Sequence, residues 1–189
     1  MQPDPRFHIC NVVASFKLDR RMDLGTIHQA YKEISIWDDR IFRRLVLILR
    51  LPSPKMSLLI YETGKVICSG ALTVADALKS DTMLVDMLSQ KHIHAAVLEP
   101  AVVHNIVAVA SYHRDVDLET LAYSLEGVEY EPEQFPGAVV KLAGCETPGN
   151  ASFLVFPTGK VVCLGCRSEE QIVTSLKTLF SQLDRVLGP

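Results

Sequence analysis

The sequence predicts an α+β fold in which one unit of about ninety residues is used twice. Three observations lead there. The first is a long internal copy: residues 58–70 read LLIYETGKVICSG and residues 153–165 read FLVFPTGKVVCLG. The spacing is 95 for Tyr61 and Phe156, for Gly64 and Gly159, and for Gly70 and Gly165; it is 94 for Asn11 and Asn105 and 93 for Phe42 and Phe135. The second is that both copies carry the same order of signals: a strand, a helix, three strands and a longer helix. The third is that the strand signals are short β-branched runs separated by turn residues, whereas the helical signals are capped and amphipathic.

Taken in order, 8–16 (HICNVVASF) and 102–110 (VVHNIVAVA) are apolar, β-branched and read as strands. DLGTIHQAYKEI and DLETLAYSLEGV each open on Asp, which can accept from the free N–H groups of a helix start. Leu45–Leu51, Ser57–Tyr61 and Lys65–Ser69 then read as strands, matched by Ala138–Leu142, Ser152–Phe156 and Lys160–Leu164. The repeated Thr-Gly-Lys at 63–65 and 158–160 predicts a tight hairpin turn with glycine at positive φ. Helices over about 73–88 and 168–186 close the repeats. The expected division is a tail at 1–6, a first repeat at 7–91 and a second at 92–189. Nothing rich in Gly, Pro or Ser separates them, which predicts one continuous structure.

Alternation along 65–69 places Ile67 and Ser69 on one face of the sheet and Val66 and Cys68 on the other. Both faces are largely apolar. One belongs under the long helix; the other is covered by a further layer or is left open as a binding surface.

Hydrophobic residues make up 48% of the 189, enough for a substantial core, and 22% are charged. The formal charge is −3, the opposite of the basic footprint that phosphate binding leaves. The sequence offers no apolar run long enough to cross a membrane, and its first residues, MQPDPRFH, lack the shape of a signal peptide, so an intracellular protein is expected. Five cysteines do not make a disulfide framework in such a chain. Cys163-Leu164-Gly165-Cys166 has the spacing of a redox or zinc half-site, but Cys163 matches Cys68, a core position, and no second pair completes four ligands. His92 and His94 are equally unsupported as metal ligands. Neither a nucleophile–His–acid arrangement nor a Gly-rich phosphate loop stands out, so no enzyme, metal or cofactor is expected. Twin asparagines inside apolar strands are unusual, because Asn is depleted there, and they ask for a polar partner.

These residues resemble the TATA-binding protein family, including its divergent relatives. The second repeat carries the strongest match: Tyr130-Glu131-Pro132-Glu133-Gln134-Phe135-Pro136-Gly137, then Phe156 and Thr158-Gly159-Lys160. The first matches through Asn11-Val12-Val13-Ala14, Asp23-Leu24, Phe42 and Ile60-Tyr61 ahead of Gly64-Lys65. The likeness spans about residues 7–187. It implies a TBP-like saddle, in which two pseudosymmetric repeats form one curved antiparallel β-sheet with helices on the convex face. It implies a transcription initiation factor acting in the nucleus as a monomer. Such a factor binds double-stranded promoter DNA in the minor groove, bends it, and meets general transcription factors IIA and IIB. This family is the standard example of minor-groove wedging.

By position, the resemblance assigns Phe42, Tyr61, Phe135 and Phe156 as wedges between base steps. Asn11 and Asn105 fall at the centre of the groove floor. Val13, Leu59, Ile67, Ser69, Val107, Pro136, Leu154 and Val162 fall on the rest of it. Lys65, Lys141 and Lys160 match positions near the DNA backbone, and Glu131 and Glu133 match a partner-binding region. The chain also departs from the family. Tyr61 replaces phenylalanine, Arg43 replaces a small residue, Leu164 replaces a threonine and Ile48 a basic residue. The wedge-to-wedge hairpins, 19 positions from Phe42 to Tyr61 and 21 from Phe135 to Phe156, are longer than usual. The first long helix carries Asp76, Asp81 and Asp86 against Lys79, where the family is basic. These departures keep a second reading open: an interaction scaffold whose DNA binding is weak or depends on a partner.

Overall fold

A computed structural model describes residues 4–38, 45–141 and 151–188. The strands are β1 (Phe7–Leu18), β2 (Ser35–Ile36), β3 (Val46–Pro52), β4 (Lys55–Tyr61), β5 (Lys65–Ala71), β6 (Val97–Ser111), β7 (Val128–Glu129), β8 (Ala138–Val140), β9 (Ser152–Val155) and β10 (Lys160–Cys166). The helices are α1 (Leu24–Ala30), α2 (Val74–Leu78), α3 (Ser80–Gln90), α4 (Leu118–Ser124) and α5 (Glu169–Leu187). Two compact units result: Asn11–His104, and Met1–Cys10 together with Asn105–Pro189. Residues 4–10 therefore pack with the second half of the chain, as the ion pair from Lys177 to Asp4 at 2.6 Å illustrates.

In the Asn11–His104 unit the strand order is β2-β3-β4-β5-β1, and in the other it is β6-β10-β9-β8-β7. The pairings between these strands are antiparallel. One face of each sheet makes the core. Leu47, Leu49, Leu58, Ile60, Val66, Cys68 and Ala14 are fully buried in the first unit, as are Phe153, Val155, Val161, Cys163, Ile106 and Ala108 in the second. Leu84 and Leu88 of α3 and Ile172, Leu176, Leu179 and Leu183 of α5 are buried as well. Removing such a side chain from water contributes roughly 1.5–3 kcal/mol.

The two Asp helix starts cap as the sequence predicts, and Thr73 and Ser168 cap the closing helices in the same way. Asp23 accepts from the N–H of Thr26, Asp117 from those of Glu119 and Thr120, Thr73 from Asp76 and Ser168 from Gln171. Gly64 and Gly159 hold positive φ in the two repeated turns.

Two features differ from the sequence reading. β2 and β7, two residues each, are too short to leave a periodic signal. The first closing helix breaks at Lys79 into α2 and α3. At the break the Ser80 hydroxyl donates to the Ala77 carbonyl at 2.7 Å, and the Asp81 carboxylate, 6% exposed, accepts from the N–H of Ala101 at 3.0 Å. Short polar side chains here bond backbone groups at the helix break and on β6. Asp81 is thus a structural acid, not one of a surface row with Asp76 and Asp86.

Cys163 and Cys166 are both fully buried, with sulfurs 3.7 Å apart. Their shared hydrogen bond lowers the pKa of the Cys166 thiol relative to its partner and, together with burial, drives that of Cys163 upward. Among the described residues no group of three His, Cys, Asp or Glu could hold a metal ion. No helix among them is long and apolar enough to cross a membrane.

Candidate nucleic-acid interface

The second sheet face of each unit is open. In the Asn11–His104 unit, Asn11, Val13, Ser15, Ile48, Leu59, Ile67 and Ser69 are all partly exposed while the residues between them are buried. In the other unit the same holds for Asn105, Val107, Val109, Val139, Leu154 and Val162. Cross-strand pairing orders these side chains into rows. Ile48, Leu59, Ile67 and Ser15 face one another in sequence across β3, β4, β5 and β1. Val139, Leu154, Val162 and Val109 do so across β8, β9, β10 and β6. A half-exposed apolar surface of this kind is a binding surface by default.

A β-bulge sets the asparagines. The β1·β5 register shifts between Val12 and Ala14 opposite Cys68–Ala71, and the β6·β10 register shifts likewise opposite Cys163–Cys166. The extra residues include Gly70 at φ +86° and Gly165 at φ +90°, a conformation that side chains with a Cβ resist. Each glycine N–H donates to an asparagine Oδ1: Gly70 to Asn11 at 2.7 Å and Gly165 to Asn105 at 2.8 Å. A backbone N–H only donates, so the atom facing it is oxygen, and the NH₂ of each asparagine is left to donate elsewhere. The two units thus present the same polar group, in the same orientation, inside an apolar face.

Three of the four aromatic positions fall among the described residues. Phe135, 37% exposed, and partly exposed Phe156 meet edge to face with centroids 5.8 Å apart. Tyr61 ends β4 and is partly exposed. Phe42 and Arg43 lie outside the described residues. Gly137 makes the Phe135–Phe156 contact possible: a Cβ there would lie 2.9 Å from Phe135 Cε1, 3.1 Å from the Val155 carbonyl oxygen and 3.2 Å from Phe156 Cδ1. Sequence reasoning quoted Gly137 without giving it this role.

Lys65 and Lys160 are exposed at the starts of β5 and β10. Lys141 is exposed and reaches Glu129 at 3.7 Å. Pro136, Glu131 and Glu133 are exposed in the 130–136 turn, where Glu131 accepts from Gln134. Sequence reasoning also missed Ser15, Val109, Val139 and His104. The alternation of β1, β6 and β8 carries the signal for the first three; His104 is found only through its contact with Ser15, 89 residues away in the chain.

The α+β architecture, the open face of each unit and the twinned asparagines define a duplicated antiparallel-sheet protein. The family model for "Transcription factor TFIID (or TATA-binding protein, TBP)" matches residues 6–91 and again 100–186. The chain is 35% identical over 180 residues to the TATA-box-binding protein of Pyrobaculum calidifontis, covering 95% of this chain and 86% of that one. It is 38% identical to that of Picrophilus torridus, covering 93% of each. The solved Methanococcus jannaschii TBP matches at a TM-score of 0.81 and 32% identity, over 96% of this chain and 99% of that one. The chain belongs to the TATA-binding protein family and has its fold.

Proposed function

We propose that the protein is a general transcription initiation factor that binds promoter DNA through the minor groove and bends it. The observation that carries this reading is the open apolar face in each unit, with an asparagine NH₂ held on it by a glycine N–H. The minor groove of A·T and T·A pairs offers only acceptors, adenine N3 and thymine O2, and the asparagine donors match them. Val13, Leu59, Ile67, Ser69, Val107, Pro136, Leu154 and Val162 line the floor. Phe42, Tyr61, Phe135 and Phe156 enter base steps, where a ring replaces the stacking lost; unstacking costs on the order of a few kcal/mol per step. Lys65, Lys141 and Lys160 lie toward phosphates. Glu131 and Glu133 face factor IIB, factor IIA is a further partner, and the protein acts as a monomer of two repeats. It works wherever the cell keeps its DNA, a nucleus or a nucleoid.

The test is titration of the purified protein onto short A·T-rich duplexes carrying a donor and acceptor dye at the two ends. Wild type binds and brings the dyes together. The double variant Phe135→Ala, Phe156→Ala binds more weakly and leaves the duplex straighter. Unchanged bending in that variant removes the wedge assignment; no binding by wild type removes the reading.

A further inference from the structure

The two rows on the open faces differ in kind at their last member. Val139, Leu154, Val162 and Val109 are apolar throughout, whereas Ile48, Leu59 and Ile67 end in Ser15. The Ser15 hydroxyl is 2.7 Å from Nε2 of exposed His104. In the repeat frame, with the spacing of 94 that links Asn11 to Asn105, the counterparts of this pair are Val109 and Cys10. A cavity of about 580 Å³ opens beside Ser15 and His104, lined also by Lys17, Lys65 and Val102. One unit's face therefore carries a hydrogen-bonding pair where the other, at the two matching positions, has valine and cysteine.

The chemistry of the minor groove gives that difference a consequence. A G·C pair adds one group that A·T lacks, the guanine 2-amino donor. Against valine this donor loses water and gains no partner, which is unfavourable. The asparagine NH₂ groups are donors too and cannot receive it. The Ser15–His104 pair can. If the hydroxyl donates to Nε2, the serine oxygen keeps its lone pairs; if Nε2–H donates to the oxygen, one lone pair remains. An acceptor persists in either tautomer.

We propose that Ser15, positioned by His104, is a specificity determinant that accepts a guanine 2-amino group. The Asn11–His104 unit then tolerates a G·C pair in its part of the site, and the other unit rejects one. This rests on the minor-groove reading above.

The experiment replaces each A·T pair of a bound duplex, one at a time, by G·C and by I·C. Inosine lacks the 2-amino group and presents the acceptors of an A·T pair. For wild type, the expected result is a G·C-to-I·C affinity ratio near one at a position on one side of the site. The corresponding position on the other side should favour I·C by about tenfold or more, the usual size of a mismatch penalty. Ser15→Val should lower the ratio at the tolerant position by about tenfold, while Ser15→Thr, which keeps the hydroxyl, preserves it. His104→Phe should lower it by a smaller factor. Equal guanine penalties on both sides, or an unchanged ratio in Ser15→Val, overturn this proposal and leave the minor-groove reading intact. A wild-type protein that binds no A·T-rich duplex overturns both.

Discussion

At the scale of single residues, two small groups govern the open faces. Gly137 is the first. The Cβ of Gly137→Ala would press on two movable rings and on the fixed carbonyl of Val155, so the rings must give way. Overpacking of this kind costs typically about 1–3 kcal/mol. The expected outcome is a modest fall in melting temperature with a clearly smaller dye-to-dye bend, read in the same duplex assay. The second is the asparagine amide. Asn105→Asp keeps the oxygen that receives the Gly165 N–H but turns the outward donor into an anionic acceptor, which on the proposed reading meets the acceptors of A·T pairs. It should weaken binding to an A·T-rich duplex well beyond Asn105→Ala, by a further tenfold or so, as titration at fixed salt would show. The twin asparagines could be seen in the sequence. Their orientation could not, because it depends on a bulge that brings Gly165 opposite Asn105 from 60 residues away.

At the scale of elements, the capped helix starts and the turns at Gly64 and Gly159 were legible because their causes are local: a side chain and an N–H two or three residues apart, or a glycine in a tight turn. The break at Lys79 was not. It depends on Asp81 meeting β6, a contact 20 residues distant that periodicity does not record. Asp81→Ala should leave the Ala101 N–H without this partner and destabilise the fold by about 1–3 kcal/mol. Asp81→Asn keeps an acceptor and should lose less; thermal unfolding of both variants measures the gap. The join between β6 and α5 adds a pH dependence. The Tyr112 hydroxyl donates to Asp184 at 2.5 Å, and burial first, then Asp184, pushes its pKa from 10.0 up to about 12. The folded state thus favours the protonated phenol. Its contribution is complete below pH 10 and is lost as pH rises from 10 to 12, where the folded protein binds more protons than the unfolded. Urea midpoints at pH 9, 10 and 11 should fall less steeply for Tyr112→Phe than for wild type.

At the scale of the whole molecule, the net charge of −3 and a DNA-facing role are reconciled by where the charges lie. Asp76 and Asp86 are on the helices, and Asp81 is committed to a backbone N–H. Lys65 and Lys160 stand at the starts of strands that form the open faces, and Lys141 follows β8. On the proposed reading, association draws on a few local cations and on the apolar floor rather than on a field from the whole protein, so its salt dependence should be shallow. Three phosphate contacts predict a slope of log affinity against log salt of about −2.7, hence a loss of roughly 40-fold between 50 and 200 mM. A basic protein making six to ten contacts loses about a thousand- to a hundred-thousand-fold over the same range. Lys141 is already partly neutralised by Glu129, so Lys141→Gln should change the slope less than Lys65→Gln or Lys160→Gln, each worth about 0.9. Fluorescence titrations at four salt concentrations give these slopes directly. A wild-type slope near −6 would mean that many more cations reach the DNA than these three, and that the floor carries less of the affinity than its apolar rows imply.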